Sequence, residues 1–153
     1  MLQRLIDDLR RRAPLERTTA EMAALLIWGY ANWSPGRALI ARPGSYTRTL
    51  AYGAENFEVV LLNWSAGVPS AIHDHGDQHC WMLVLDGTLW TQDFARLDAG
   101  DVAGYARVEA RGSSLLEPGG LDLRAGRFSL HRVAATPAAP VVSLHVYSGR
   151  LRE

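Results

Sequence analysis

The sequence contains no lysine, only one cysteine and no long uninterrupted run of apolar residues. A single cysteine cannot form an intrachain disulfide, so nothing in the cysteine content suggests a disulfide-stabilised secreted protein. The sixteen basic residues, all arginine, balance sixteen acidic ones, and this neutrality predicts neither a nucleic-acid partner nor an anionic membrane partner. The N-terminus does not resemble a signal peptide, and no stretch is long enough for a membrane span. We therefore expect a cytoplasmic protein.

The 153 residues, 48% of them hydrophobic, are typical of one soluble globular domain spanning residues 1–153. Apolar residues at Leu2, Leu5, Ile6 and Leu9 predict a short amphipathic helix that ends before Pro14. A second helix is predicted to begin after a cap at Thr18 or Thr19. Helices are thus expected within residues 1–35, and the chain from residue 45 to residue 148 is expected to be β structure.

Short apolar or alternating runs separated by turn residues predict a mainly β fold, a barrel or a sandwich. Asp86-Gly87 favours a tight hairpin between two of the predicted strands. The ten predicted strands are Tyr46–Tyr52, Phe57–Trp64, Ala71–His75, Cys80–Leu85, Thr88–Phe94, Val102–Ala106, Ser113–Leu116, Leu121–Leu123, Phe128–Val133 and Val141–Ser148.

A histidine-rich stretch between residues 67 and 80 holds three of the chain's five histidines and its only cysteine, Cys80. His73 and His75 are two residues apart, so on an extended segment both imidazoles point to the same side. Two imidazoles on one side form half of a site for zinc, copper, iron or nickel. The alternative is a surface loop with scattered histidines, because a short motif of this kind often occurs by chance.

A second polar pattern lies near the C-terminus, in the run VVSLHVYS. Ser143, His145 and Tyr147 alternate with aliphatic residues, so the three polar side chains share one face of the predicted strand. That face either is exposed to solvent, as is common in antiparallel sheets, or lines a cavity. His131, on the preceding strand, is by itself consistent with an ordinary core or edge histidine.

Together these patterns favour a metal site formed by His73, His75 and His131. Three neutral imidazoles would leave open coordination positions for a substrate and a small gas molecule. No acidic residue lies where a carboxylate ligand would be expected, and alternation directs Asp74 away from the two neighbouring histidines.

The spacing G-x5-H-x-H-x4-C-x6-G, from Gly67 to Gly87, resembles the first cupin motif with Cys80 in place of the usual glutamate ligand. Combined with SLHVYS, this motif resembles the cysteine dioxygenase family of cupin-fold thiol dioxygenases. The resemblance covers residues 45–148, and it implies a cupin-type (jelly-roll) β-barrel preceded by a short N-terminal helical segment.

The resemblance also implies roles for individual residues. His73, His75 and His131 match the ligands of a mononuclear Fe(II), and Cys80 and Tyr147 match a pair that can join in a thioether cross-link as a protein-derived cofactor. Ser143 and His145 match the hydrogen-bonding partners of that tyrosine. The segment Tyr46-Thr47-Arg48 matches the substrate-binding segment of the family, in which arginine binds the substrate carboxylate. A guanidinium suits this role because it can pair with a carboxylate through two hydrogen bonds.

The implied activity is addition of both atoms of O2 to the sulfur of L-cysteine to give cysteine sulfinate, a step of cysteine catabolism and taurine/sulfinate metabolism. L-Cysteine and O2 are then the expected partners of a protein expected to be monomeric. Two alternatives remain open: a 3-mercaptopropionate dioxygenase, whose family usually carries glutamine in place of Arg48, and a non-catalytic metal-binding cupin module. The chain departs from the family at Gly149, where a proline is common, and at Ala135, where an asparagine is expected.

Overall fold

The structure is a computed structural model that describes residues 1–34 and 43–149. The predicted helix boundary at residue 35 lies outside the described residues. Two helices, α1 and α2, are separated by a 3-10 turn at Pro14–Glu16; α1 spans Leu2–Arg11 and α2 spans Thr19–Ala31. Eight strands follow: β1 (Tyr46–Gly53), β2 (Glu58–Trp64), β3 (His79–Asp86), β4 (Leu89–Arg96), β5 (Val108–Leu116), β6 (Leu121–Ala125), β7 (Leu130–Ala135) and β8 (Val141–Tyr147).

The strands form two antiparallel sheets that do not close into one continuous barrel. The larger sheet has the order β1-β2-β8-β3-β6, and the smaller sheet has the order β5-β4-β7. Strand β8 therefore lies at the centre of the larger sheet, between β2 and β3. The mainly β fold with short N-terminal helices is as the sequence predicts.

Two apolar clusters occupy the two faces of the larger sheet. On one face, Leu5, Leu9 and Met22 of the helices pack against Leu83 and Leu144. On the opposite face, the second cluster lies between the two sheets. Its buried members are Val60, Leu62, Trp64, Cys80, Met82, Val84, Leu89, Val133, Ala135, Val141 and Tyr147.

Local sequence explains where α2 begins. The Thr18 hydroxyl accepts a hydrogen bond from the Glu21 N–H, and the Glu21 carboxylate accepts one from the Thr18 N–H. This reciprocal capping box satisfies two N–H groups that the helix itself cannot pair. None of the helices within the described residues is long and apolar enough to cross a bilayer.

Three local predictions are wrong. Residues 71–75 and 102–106 are not strands. The first of these segments is tied to a sheet by one isolated bridge, between His73 and His131. Asp86-Gly87 does form a sharp turn, but β3 and β4 lie in different sheets and do not pair. Gly87 has φ +75°, and a Cβ there would lie 2.6 Å from the Pro140 carbonyl oxygen. The turn thus carries the chain from one sheet to the other.

Candidate metal and substrate site

The three predicted metal-ligating histidines meet at one point of the structure. His73 and His75 come from the loop between β2 and β3, and His131 comes from β7. One ring nitrogen from each histidine lies within 4.8 Å of the others. Backbone pairing brings them together, because the N–H of each of His73 and His131 donates to the carbonyl of the other at 3.0 Å. The cluster forms through this bridge and without the predicted strand.

The hydrogen bonds of the three histidine rings leave ring nitrogens available to bind a metal. Nδ1 of His73 lies 3.0 Å from the carbonyl oxygen of Ala71, which can only accept, so Nδ1 carries the proton and Nε2 keeps its lone pair. Nδ1 of His75 and both ring nitrogens of His131 are buried without a hydrogen-bond partner among the described residues. Burial, followed by the charges of neighbouring histidines, lowers the pKa of His75 to about 3, and burial also lowers the pKa of His73. Neutral imidazole is the form that binds a metal.

The predicted polar face of β8 is buried and forms a hydrogen-bonded row. Ser143 Oγ lies 2.8 Å from Nε2 of His145, and Nδ1 of His145 lies 3.5 Å from the Tyr147 hydroxyl. Trp64 of β2 donates from Nε1 to Ser143 Oγ at 2.9 Å. Burial lowers the pKa of His145 to about 3, so this ring is neutral. The face therefore belongs to a cavity wall and not to a solvent-exposed surface.

Cys80 lies beside this row, on the neighbouring strand β3. It is the direct cross-strand partner of Tyr147, and its Sγ lies 3.7 Å from Nδ1 of His145. Burial raises the pKa of the thiol to about 12, and a hydrogen bond with Tyr147 opposes that rise. Burial likewise raises the pKa of the Tyr147 hydroxyl above its usual range. Both groups are thus protonated at neutral pH and adjoin each other.

The predicted substrate-binding residues lie on β1, at the edge of the larger sheet. The Arg48 guanidinium carbon lies 6.0 Å from the centre of the Tyr147 ring, and the Tyr46 ring packs on Trp64 at 4.6 Å between centroids. Among the described residues, no carboxylate forms an ion pair with Arg48. A cation without an anionic partner at the edge of a cavity is suited to bind an anionic ligand.

All of these groups except Ser143 line one cavity of about 590 Å³ between the two sheets. Ser143 lies behind two of the lining residues, Trp64 and His145, and forms a hydrogen bond with each. The structure thus brings together every predicted site residue, with Arg48, Tyr147 and the three histidines facing the same space.

Sequence reasoning missed a group of charged residues at the histidine end of the cavity. Arg124 donates to Asp122 at 2.8 Å and to Asp93 at 2.6 Å. Asp122 Oδ2 lies 3.5 Å from Nδ1 of His131. Burial of Asp122 would raise its pKa, but contacts with His131 and Arg124 outweigh burial and lower it. The alternation of Asp122 and Arg124 in LDLRA was the signal that could have placed both on one strand face. The role of Trp64 as a hydrogen-bond donor was also missed.

The donor set fits a mononuclear metal ion. Three imidazoles converge in a cavity, each with a ring nitrogen that makes no hydrogen bond among the described residues, and imidazole suits iron, zinc, copper and nickel. Adjacent to them lie Arg48, which has no carboxylate partner among the described residues, and the Tyr147 hydroxyl, with the neutral His145 behind it. Such an arrangement can hold a metal-bound anion and supply one proton to it.

Comparison with known proteins gives the same family that the sequence motifs resemble. A family model described as cysteine dioxygenase type I matches residues 3–152. The chain is 36% identical over 105 residues to cysteine dioxygenase type 1 of Danio rerio and 34% identical to that of Bos taurus. Each alignment covers 67% of this chain, and the chain spans about half the length of these curated relatives, 51% and 50% respectively.

Solved structures identify the fold. A protein from Thermus thermophilus superposes with a TM-score of 0.59 at 17% identity, covering 75% of this chain and 93% of its own. The cupin domain of Cnp3 from Schizosaccharomyces pombe superposes with a TM-score of 0.54 at 9% identity, covering 74% and 70% respectively. At such identities the likeness concerns the fold alone, and it confirms the predicted cupin-type architecture.

Proposed function

Because the chain belongs to the cysteine dioxygenase type I family, we propose that it is a thiol dioxygenase, a non-haem iron oxidoreductase acting on L-cysteine. The reaction adds both atoms of O2 to the substrate sulfur and gives cysteine sulfinate, the two-oxygen state of thiol oxidation. The observation that carries the proposal is the shared cavity, which is lined by a three-histidine cluster, by a buried tyrosine and by an arginine that has no carboxylate partner in the described part of the chain.

His73, His75 and His131 would hold one Fe(II) ion, since one ring nitrogen of each lies within 4.8 Å of the others and imidazole suits iron. Bound Fe(II) supplies the redox chemistry with O2 and favours the thiolate form of a coordinated substrate. Because no carboxylate joins the three histidines in the cluster within the described residues, the protein ligands would add no negative charge to a bound ion.

Arg48 would bind the substrate carboxylate. Two basic residues line the cavity, and Arg124 is already paired with two aspartates, whereas Arg48 has no such partner among the described residues. A bidentate guanidinium–carboxylate pair would fix one end of a small amino acid. Tyr46, two residues away on the same strand face, lines the cavity beside it.

Tyr147 would donate a proton to the reacting oxygen. The indole of Trp64 can only donate, so Ser143 accepts from it and keeps its own hydrogen for Nε2 of His145. Nδ1 of the neutral His145 ring then carries the proton and points toward the Tyr147 oxygen. The tyrosine thus receives a hydrogen bond from behind and can direct its own O–H into the cavity.

Cys80 would serve as the partner of Tyr147 rather than as a metal ligand. Cross-strand pairing of the two residues, whose side chains both approach Nδ1 of His145, supports a thioether cross-link between them. Forming that bond removes two electrons and two protons from the pair, and O2 is the oxidant that the proposed reaction already consumes. The cross-link would fix the position of the tyrosine hydroxyl.

The decisive test is a steady-state comparison of L-cysteine and 3-mercaptopropionate with iron-reconstituted protein. We expect O2 consumption coupled to cysteine sulfinate formation, with a higher kcat/KM for L-cysteine. Faster turnover of 3-mercaptopropionate would reassign the substrate, because both thiols carry a carboxylate that Arg48 could bind. Protein that loads zinc and consumes no O2 with either thiol would instead be a metal-binding cupin module, and the enzyme proposal would be wrong.

Replacing Arg48 by glutamine tests the carboxylate contact. Losing a charge-assisted hydrogen bond costs about 1.5–3 kcal/mol, so we expect KM for L-cysteine to rise about 10- to 100-fold with a smaller change in kcat. Arg111→Gln is the matched control, because Arg111 is an exposed arginine outside the cavity. Unchanged KM in Arg48→Gln would contradict the assignment.

A further inference from the structure

We propose that Asp122 is a positioning residue that orients His131 for metal binding, and that Arg124 and Asp93 hold Asp122 in place. The proposal rests on the proposed three-histidine metal site and adds to it a carboxylate that contacts a ligand from outside. It concerns the donor strength and orientation of one imidazole, and it assigns no contact between Asp122 and the substrate.

The contact joins the two sheets. Asp122 lies on β6 of the larger sheet, and His131 lies on β7 of the smaller one, with 3.5 Å between Asp122 Oδ2 and His131 Nδ1. His131 has 4% of its side chain exposed and Asp122 has 14%, so neither is freely solvated. At 3.5 Å this contact is at the outer limit of a hydrogen bond, and Nδ1 of His131 has no closer acceptor among the described residues.

Arg124 restrains the carboxylate. Its Nε donates to Asp122 at 2.8 Å, and its Nη1 donates to Asp93 of β4 at 2.6 Å, so a second polar contact also spans the two sheets. With only 15% of its side chain exposed, Arg124 is itself largely buried. One cation between two carboxylates leaves the group with a net negative charge directed toward the imidazole ring.

The chemistry of imidazole explains how a carboxylate beside His131 would affect metal binding. A carboxylate that accepts from Nδ1–H selects the tautomer whose lone pair lies on Nε2, and it makes that nitrogen a stronger donor. The carbonyl oxygen of Ala71 contacts Nδ1 of His73 at 3.0 Å and can orient that ring. His75 has no such partner on Nδ1 among the described residues. Among the described residues, His131 is thus the one histidine of the three whose ring nitrogen contacts a carboxylate, which predicts that it is the strongest of the three donors.

The test measures metal affinity and a spectroscopic signature, independently of turnover. Asp122→Ala and Asp122→Asn are compared with the unchanged protein by chelator competition for Fe(II) and by the visible absorption bands of the Co(II)-loaded protein. Removing an outer partner of a metal-bound histidine typically weakens affinity about 10- to 100-fold. We expect that loss in Asp122→Ala, with shifted Co(II) bands, and a smaller change in Asp122→Asn. Asp122→Glu should restore part of both signals.

Asp98→Asn is the matched control, because Asp98 forms a similarly part-buried ion pair with Arg96 at 2.7 Å outside the cavity. It should leave affinity and absorption unchanged. The positioning role would be overturned if Asp98→Asn and Asp122→Ala changed metal affinity equally. It would also be overturned if Asp122→Ala left both affinity and absorption unchanged. If Asp122→Ala does not fold, Asp122→Asn decides by the same criteria. His131→Ala separates the two proposals: if it too keeps full affinity, the three-histidine site itself is wrong.

Discussion

The two walls of the cavity differ in whether their polar groups are already satisfied. On one wall, Ser143, His145 and Tyr147 of β8 form a hydrogen-bonded row backed by Trp64. The other wall carries the histidine cluster, in which buried ring nitrogens lack partners among the described residues. Since buried polar groups without partners are costly, this difference supports the proposed binding role of the histidine wall, whereas the polar groups of the β8 wall pair with one another.

This difference predicts that substitutions on the two walls affect separate properties. Removing a histidine of the cluster should remove the metal, and all activity with it. Removing a group from the β8 row should leave the metal in place and slow turnover. The following predictions test that separation, beginning with the largest expected effect.

His75→Ala should abolish stoichiometric iron binding and lower kcat/KM by about a thousand-fold or more, because metal catalysis contributes several kcal/mol. Iron content and O2 consumption measure the two effects. His79→Ala is the control, since His79 packs against Trp81 and does not line the cavity. Retention of iron by His75→Ala, or its loss in His79→Ala, would show that the cluster is not the metal site.

Tyr147→Phe should lower kcat about 100-fold, the typical contribution of a positioned proton donor, while iron content and KM stay near their original values. Tyr52→Phe is a suitable control, because Tyr52 packs on Phe57 away from the cavity. Loss of iron in Tyr147→Phe would mean that the two walls are not separable. Unchanged kcat would remove the tyrosine from the reaction.

Acid should destabilise the metal-free protein through its buried neutral histidines. The pKa of His145 is about 3 in the folded protein, whereas a histidine in an unfolded chain titrates near 6.5. Between those values the unfolded chain binds more protons, so the free energy of unfolding falls as pH decreases through 6.5. One such histidine contributes at most about 1.4 kcal/mol per pH unit.

Urea denaturation of the metal-free protein between about pH 7 and about pH 5 measures this effect. His145→Asn should make the free energy of unfolding fall less between these pH values, because it removes one titrating group from the β8 wall. A decrease of the same size in both proteins would show that His145 does not contribute to acid sensitivity.

The β8 row could be predicted from sequence because strand periodicity is reliable when polar and aliphatic residues alternate strictly. Ser143, His145 and Tyr147 do share one face, and Val142, Leu144 and Val146 face the helices. The histidine pair was also predicted, but from a strand that does not exist. His73 is positioned by a single bridge to His131, a long-range pairing for which residues 67–80 contain no local signal.

The charged group around Arg124 could not be predicted because its members come from two strands of different sheets. Alternation could place Asp122 and Arg124 on one face, but it could not show that Asp93 lies opposite. Likewise, a tryptophan in an apolar run is consistent with simple packing. Only the pairing of β2 with β8 shows that the Trp64 indole reaches Ser143, which lies 79 residues further along the chain.

Cys80 is the only cysteine in the 153 residues, so each chain carries at most one titratable thiol. Its burial protects it from reagents in the folded protein, but denaturation exposes every thiol that has not been consumed. Titration with a chromogenic disulfide in denaturant would therefore measure the fraction of molecules that carry the proposed cross-link to Tyr147, as the shortfall from one thiol per chain. The same preparation, sampled over successive turnovers, would give the rate at which the proposed cross-link forms.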